Sequence, residues 1–98
     1  MKDLFKQLDK AFENKIRLSI MSVLMVNAQV AFIDLKEMLE LTDGNLASHL
    51  KYLEKENYIS VKKSFVNRKP NTVYAVTPAG KSAFETHLNA LEEIIRQL

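Results

Sequence analysis

Residues 41–59, LTDGNLASHLKYLEKENYI, decide how this chain folds. Leu46, Leu50 and Leu53 recur at helical spacing and define an inward face. Asn45, Ser48, Lys51, Tyr52 and Lys55 fall mainly on the opposite side, where Ala47 adds no bulk. Thr42 precedes the first turn as an N-cap. Asn57 follows the last turn and suits the left-handed C′ position usually held by glycine. The resulting helix is apolar on one side and carries small and polar groups over its first turns.

Immediately upstream, IDLKEMLELT predicts a second compact helix. Asp34 and Glu37 have capping-box spacing, and Leu35, Met38 and Leu39 form its buried stripe. It is expected to end at Leu41, where Thr42, Asp43 and Gly44 interrupt the apolar rhythm. Two short helices joined by so tight a turn make a helix-turn-helix over about residues 34–57.

Further upstream, NKIRLSIMSVLMVN carries Ile16, Ile20, Val23 and Leu24 at helical spacing, joined by Leu18, Met21 and Met25. A helix apolar over so much of its circumference is central, with Asn14 as its N-cap and its methionines filling the core. Before it, residues 4–12 predict one short amphipathic helix with Leu4, Leu8 and Phe12 on a stripe. Residues 30–32 form a short extended piece.

Downstream the period changes to two. Ile59, Val61 and Phe65 alternate with polar residues, and Val73 and Ala75 alternate with Tyr74 and Val76. These runs flank NRKPNT, so a β-hairpin is expected over about residues 58–77, with a basic tip and Pro70 in its loop. The last helix covers about residues 78–97, capped by Thr77 with Pro78 in its first position. Phe84, Leu88, Leu91, Ile95 and Leu98 form its apolar stripe, widened by Ile94.

At 98 residues the chain is long enough for one domain, 1–98, with one modest core. Hydrophobic residues at 47% exclude disorder, and the absence of cysteine excludes disulfides and thiolate metal sites. With no secretory leader and no apolar run of membrane length, a soluble, cytoplasmic protein is expected. The net charge of +2 hides an asymmetry, because residues 51–69 hold six basic side chains and only two acidic ones. A local basic region on a nearly neutral body is a modest nucleic-acid footprint.

A three-helix core followed by a hairpin is an α+β winged helix-turn-helix, here with additional N- and C-terminal helices. The major groove admits one helix if its first turns are not bulky. Gly44, Asn45, Ala47 and Ser48 meet that condition, and Asn45 has the donor–acceptor pair that reads adenine. Lys51 and Lys55 are suited to phosphates, as is Thr42 with the free amides of the first turn. Arg68 and Lys69, beside Asn67 at the hairpin tip, are placed to straddle the backbone or enter the minor groove. Asp43 is read as stabilising the helix start, and Tyr52, Tyr58 and Tyr74 as packing their rings. Lys62 and Lys63 point to opposite faces of a strand, so at most one is expected to face DNA.

NKIRLSIMSVL, FIDLKEMLELTDGNLASHLKYLEKENYI and KPNTVYAVTPAGKSAFETHLNALE together resemble the winged-helix transcriptional regulators of the MarR/ArsR-like group, and within it small stand-alone winged-helix DNA-binding domains. The resemblance covers most of residues 14–92. It implies a homodimer on a roughly palindromic double-stranded operator, with a recognition helix beginning near Asp43 and a wing tip at residues 67–71. Asn57 departs from the group's usual glycine. The function expected is sequence-specific transcriptional regulation, as a repressor. The alternative is a winged-helix module that binds proteins and leaves DNA alone.

Dimerisation has a physical motive besides the resemblance. Leu4, Leu8, Phe84, Leu88, Leu91 and Ile95 offer more apolar surface than a small core needs, and a symmetric copy would cover it. A small-molecule effector has room, on this reading, near Phe12, Leu24 or Phe84. No cofactor or metal is called for. His49 is expected to bond a backbone group, and His87 lacks the spacing of a ligand pair with Glu85. No metalloprotease, P-loop or dinucleotide motif occurs, and adjacent Ser48 and His49 diverge on a helix, so no enzyme is expected.

Overall fold

Three side-chain caps set where the long helices begin. Asn14 Oδ1 accepts from the amides of Ile16 and Arg17, at 2.9 and 3.0 Å. Thr42 Oγ1 accepts from Asn45 at 3.2 Å, and Thr77 Oγ1 from Gly80 at 2.9 Å. The computed structural model describes all 98 residues. Its elements are α1 (Lys2–Lys6), a 3-10 turn (Lys10–Phe12), α2 (Lys15–Met25), β1 (Val30–Ala31), α3 (Phe32–Leu39), α4 (Asp43–Lys55), β2 (Ile59–Val66), β3 (Lys69–Val76) and α5 (Pro78–Arg96).

The sheet is antiparallel in the order β1-β3-β2. Ile59 pairs with Val76 and Val61 with Tyr74, so these four share one face. Tyr74 and Ile59 are buried, which makes the Tyr74 side of β3 the core side. The expected six-residue tip contracts to a two-residue turn, Asn67–Arg68, closed by the Val66–Lys69 pair. Both turn residues have positive φ, 52° and 66°, as the tightest hairpins require. Pro70 is therefore in β3 rather than in the loop, opposite Phe65. It is tolerated because antiparallel pairs alternate in bonding, and the pair after the closing one needs no N–H. On its other side β1 pairs only with Val73 and Tyr74.

Ile20, Met21 and Leu24 of α2 are fully buried between the helix-turn-helix and the sheet, with Leu35, Leu46, Leu50 and Leu53. Three expectations about helix limits fail. Residues 4–12 are not one helix: Asp9 turns extended, caps the 3-10 turn through Ala11, and so swings Phe12 inward. Phe12 packs against the rings of Phe84, Tyr58 and His87 at centroid distances of 5.0, 5.3 and 5.4 Å. Burying that ring outweighs continuing the helix. The Asp34–Glu37 capping box does not form, because α3 starts three residues earlier with Ala31 at its uncapped N-cap position. The same helix stops at Leu39, where Glu40 takes a left-handed φ of 51°, and Met38 is left 58% exposed while Leu35 and Leu39 pack. Asn57 does take its left-handed position, with φ 63°.

Two close fits hold α5 to the rest. Thr77 donates its hydroxyl to the Asn57 carbonyl at 2.6 Å, and its amide to Tyr58 O at 3.1 Å. This draws Gly80 over the backbone of Tyr58, where an added Cβ would stand 2.0 Å from the Tyr58 carbonyl oxygen. One helical stretch later, His87 is 2% exposed and its Nδ1 accepts from the Asp9 amide at 2.9 Å. Burial lowers the His87 pKa from 6.5, and the carboxylates of Asp9 and Glu13 oppose that shift. The tie joins the N-terminal segment to α5 across 78 residues of sequence.

Replacing Gly80 by Ala is expected to destabilise the protein by about 1–3 kcal/mol, since backbone must move to admit the methyl; urea unfolding measures it. Stability should also depend on His87. Below about pH 6.5 the unfolded chain takes up a proton that folded His87 resists, so acidification favours unfolding. Melting temperature is expected to hold above that pH and fall below it. Substituting His87 by Gln should flatten the fall to what His49, also lowered, contributes.

Candidate nucleic-acid interface

Burying Leu46, Leu50 and Leu53 turns the other side of α4 to solvent. Thr42, Gly44, Asn45, Ala47, Ser48, Lys51 and Lys55 are all exposed. The Asn45 carboxamide and the Lys51 and Lys55 ammonium groups make no hydrogen bond within the chain, so their donors and acceptors are free. Ser48 leans its hydroxyl on the Asn45 carbonyl at 3.3 Å. Asp43 is held by Lys36 at 2.8 Å, which ties α3 to the first turn of α4 and offsets a carboxylate beside the lysines. Around Gly44 nothing lies within 4 Å of an added Cβ, so packing does not demand glycine there.

The wing places Asn67, Arg68 and Lys69 at the hairpin apex, all exposed. Arg68 occupies a left-handed position that glycine would fill without strain. Lys62 and Lys63 are exposed in β2, on opposite faces of the strand. Beside the tip Phe65 is 77% and Val66 52% exposed.

The tyrosines divide. Tyr58 donates its hydroxyl to Asp9 Oδ2 at 2.5 Å; this bond, then burial, pushes its pKa up to about 12. Burial also raises Tyr74, helped by Glu54 nearby. Tyr52 carries the Arg17 guanidinium over its ring, 4.0 Å from the centroid. His49 corrects its expectation: Nδ1 lies 3.2 Å from Arg17 Nη1 and bonds no backbone group. Burial first, and the arginine's charge second, lower its pKa from 6.5. Arg17, and the role of His87 as a buried acceptor, escaped the reading of the sequence. Their partners stand 32 and 78 residues away, and no spacing rule reaches that far.

A family model described as a winged helix DNA-binding domain matches residues 16–95. The chain belongs to that family. An uncharacterized protein of Methanocaldococcus jannaschii is 33% identical over 89 residues, covering 91% of this chain and 97% of the other. The transcriptional regulator homologue of Pyrococcus horikoshii OT3 superposes with a TM-score of 0.90 at 30% identity, over 99% of this chain and 97% of that one. HlyU of Vibrio cholerae is 26% identical and covers 78% of each chain, with a TM-score of 0.62. This winged helix is thus related to the MarR/ArsR-like transcriptional regulators, a group of DNA-binding proteins and not of enzymes. No group of three His, Cys, Asp or Glu residues could hold a metal ion, and no helix is long and apolar enough to cross a membrane.

A second surface runs along α5 of the winged-helix domain. Leu88 is 40%, Ile95 66% and Leu98 94% exposed, while Leu91 and Ile94 are half-buried. α1 packs against α5 and adds half-buried Leu4, and Leu8 follows it. Phe84, expected at this surface, lies instead inside the chain's own core at 2% exposure. Phe12, Leu24 and Phe84, near which an effector was expected, are core residues, and none of them lines a pocket of the single chain. An open groove of about 290 Å³ does occur elsewhere, lined by Lys15, Ile16, Ser19, Leu39 and Leu41.

Gly44 gives a clean separation of stability from binding. Gly44→Ala is expected to leave stability unchanged or raise it by up to about 1 kcal/mol. A drop in duplex affinity in that variant, read by fluorescence anisotropy, would mark the first turn of α4 as a place of close approach.

Proposed function

We propose that the chain is a homodimeric, sequence-specific regulator of transcription that binds double-stranded DNA as a repressor. In this reading α4 enters the major groove. Asn45 and Ser48 face base edges, with Gly44 and Ala47 allowing close approach. Thr42, Lys51 and Lys55 meet phosphates, and Asn67, Arg68 and Lys69 place the wing on the neighbouring backbone or minor groove. The exposed edge of α5, with Leu88, Leu91 and Ile95 beside Leu4 and Leu8, pairs two copies. The two recognition helices then meet groove faces about one helical turn apart.

The observation that carries this reading is Arg68. A non-glycine residue held at φ 66° is strained by about 1 kcal/mol. Nothing in the fold calls for its side chain, which is exposed and makes no hydrogen bond or ion pair. Strain retained at an exposed basic tip is strain retained for a partner with phosphates. An effector, on this reading, enters the groove at Lys15 and Leu41, because Phe12, Leu24 and Phe84 line no pocket of the single chain.

Arg68→Gly tests the reading directly. It is expected to raise stability by about 1 kcal/mol while weakening duplex binding, with a flatter salt dependence. The wild-type chain should sediment as a dimer under the same conditions. Unchanged affinity on loss of Arg68 and Lys69 together, or a folded protein that ignores DNA at low salt, would favour a protein-binding module instead.

A further inference from the structure

Arg17 lies outside every feature so far assigned to DNA, yet it touches the recognition helix. Its Nε donates to the Ala11 carbonyl at 2.7 Å, and Nη2 makes a long contact of 3.5 Å to the Lys10 carbonyl. Nη1 faces His49 Nδ1, and the guanidinium plane covers Tyr52. Arginine has five N–H donors and no acceptor. Three of the five have partners here, which leaves one N–H on each terminal nitrogen. Two such N–H groups on the terminal nitrogens can grip phosphate oxygens in pairs. No ion pair involves Arg17, so its charge stands without a carboxylate.

The position matters as much as the free donors. At 100° per residue, His49 and Tyr52 fall on one edge of the solvent face of α4, between exposed Ser48 and Lys55 and buried Leu46 and Leu53. Both are half-buried, as edge residues are. A helix about 10–12 Å across fills a major groove about 12 Å wide, so both edges of its exposed face come against sugar–phosphate walls. The arginine also settles the chemistry of His49. Because Arg17 can only donate, His49 Nδ1 must accept, and the ring proton sits on Nε2 as a donor.

We infer that Arg17, seated on Tyr52 and His49, is a phosphate-binding group on the edge of α4, in which the arginine fork takes the phosphate and His49 Nε2–H donates beside it. The inference rests on the reading of α4 as the helix that enters the groove. It adds to that surface a charge contributed by α2. Tyr52 fixes the guanidinium plane before DNA arrives, so little side-chain entropy is lost on contact.

The experiment uses the full chain and a fluorescein-labelled duplex of random sequence, because non-specific affinity comes from phosphate contacts. Anisotropy titrations between about 50 and 200 mM salt give the slope of log affinity against log salt. Arg17→Ala and Arg17→Gln are each expected to flatten that slope by about one per bound protomer and weaken binding several-fold. Arg17→Lys keeps the charge and should keep the slope. Thermal melts show that each variant is folded. Arg17→Gln still offers a donor to the Ala11 carbonyl, so it gives the reading even where Arg17→Ala unfolds. An unchanged slope in folded Arg17→Gln overturns the inference and leaves the proposed function standing. No binding by the wild-type chain at the lowest salt overturns both.

Discussion

The ring of Phe12 is the point on which the separate parts of this winged helix converge. It sits edge-on to Phe84 of α5 and tilted against Tyr58 at the start of the wing, with His87 beside it. Removing such a ring costs about 3–5 kcal/mol, against a total stability of about 5–15 kcal/mol for a domain. The polar groups around it are arranged so that the ring can stay. Asp9 breaks the helix that would carry Phe12 outward, and its amide is taken by His87 while its carboxylate takes the Tyr58 hydroxyl. One aspartate thus serves three partners: its own turn, the wing root and the terminal helix. No buried side-chain polar atom in the chain lacks a hydrogen-bond partner, so this junction adds no desolvation penalty of that kind.

What was legible in the sequence were the features governed by local rules. Asn14, Thr42 and Thr77 are read as caps because capping depends on residue type and on positions two or three residues away. Leu46, Leu50 and Leu53 are read as core because a helix fixes their common side. The largest failure came where a distant contact overrode a local preference. Residues 4–12 have helical periodicity, but the burial of Phe12 and the His87 acceptor decide their path. Pro70 looks like a loop residue until the Val66–Lys69 pair places it at a height where no strand wants its missing amide. Met38 and Leu39 have equal claims from sequence, and only the packing of the folded chain decides that Leu39 meets the core while Met38 stays exposed.

The candidate interface was legible to a different degree. Its composition is local, so the exposed small and basic residues of α4 and the wing were visible as a set. The resemblance to MarR/ArsR-like regulators supplied the roles that composition does not, and the family match now stands independently of it. Arg17 was not visible. In sequence it is one more charge on an apolar helix, with a buried stripe on either side. Only the folded chain shows that the turn at Asp9 presents two carbonyls to it and that α4 presents an aromatic face.

These two ends of the N-terminal segment have a mechanical consequence. The same short turn that accepts from Arg17 beside the recognition helix donates to His87 in α5. α5 carries the exposed apolar edge on which two copies would pair. The turn is thus a physical connection between α5 and the arginine that backs Tyr52 and His49. Such a connection transmits only where it has two discrete arrangements that both sites bias. The Asp9 amide holds α5 through His87, and the Lys10 and Ala11 carbonyls hold the arginine beside α4, so three successive residues join α5 to the reading helix.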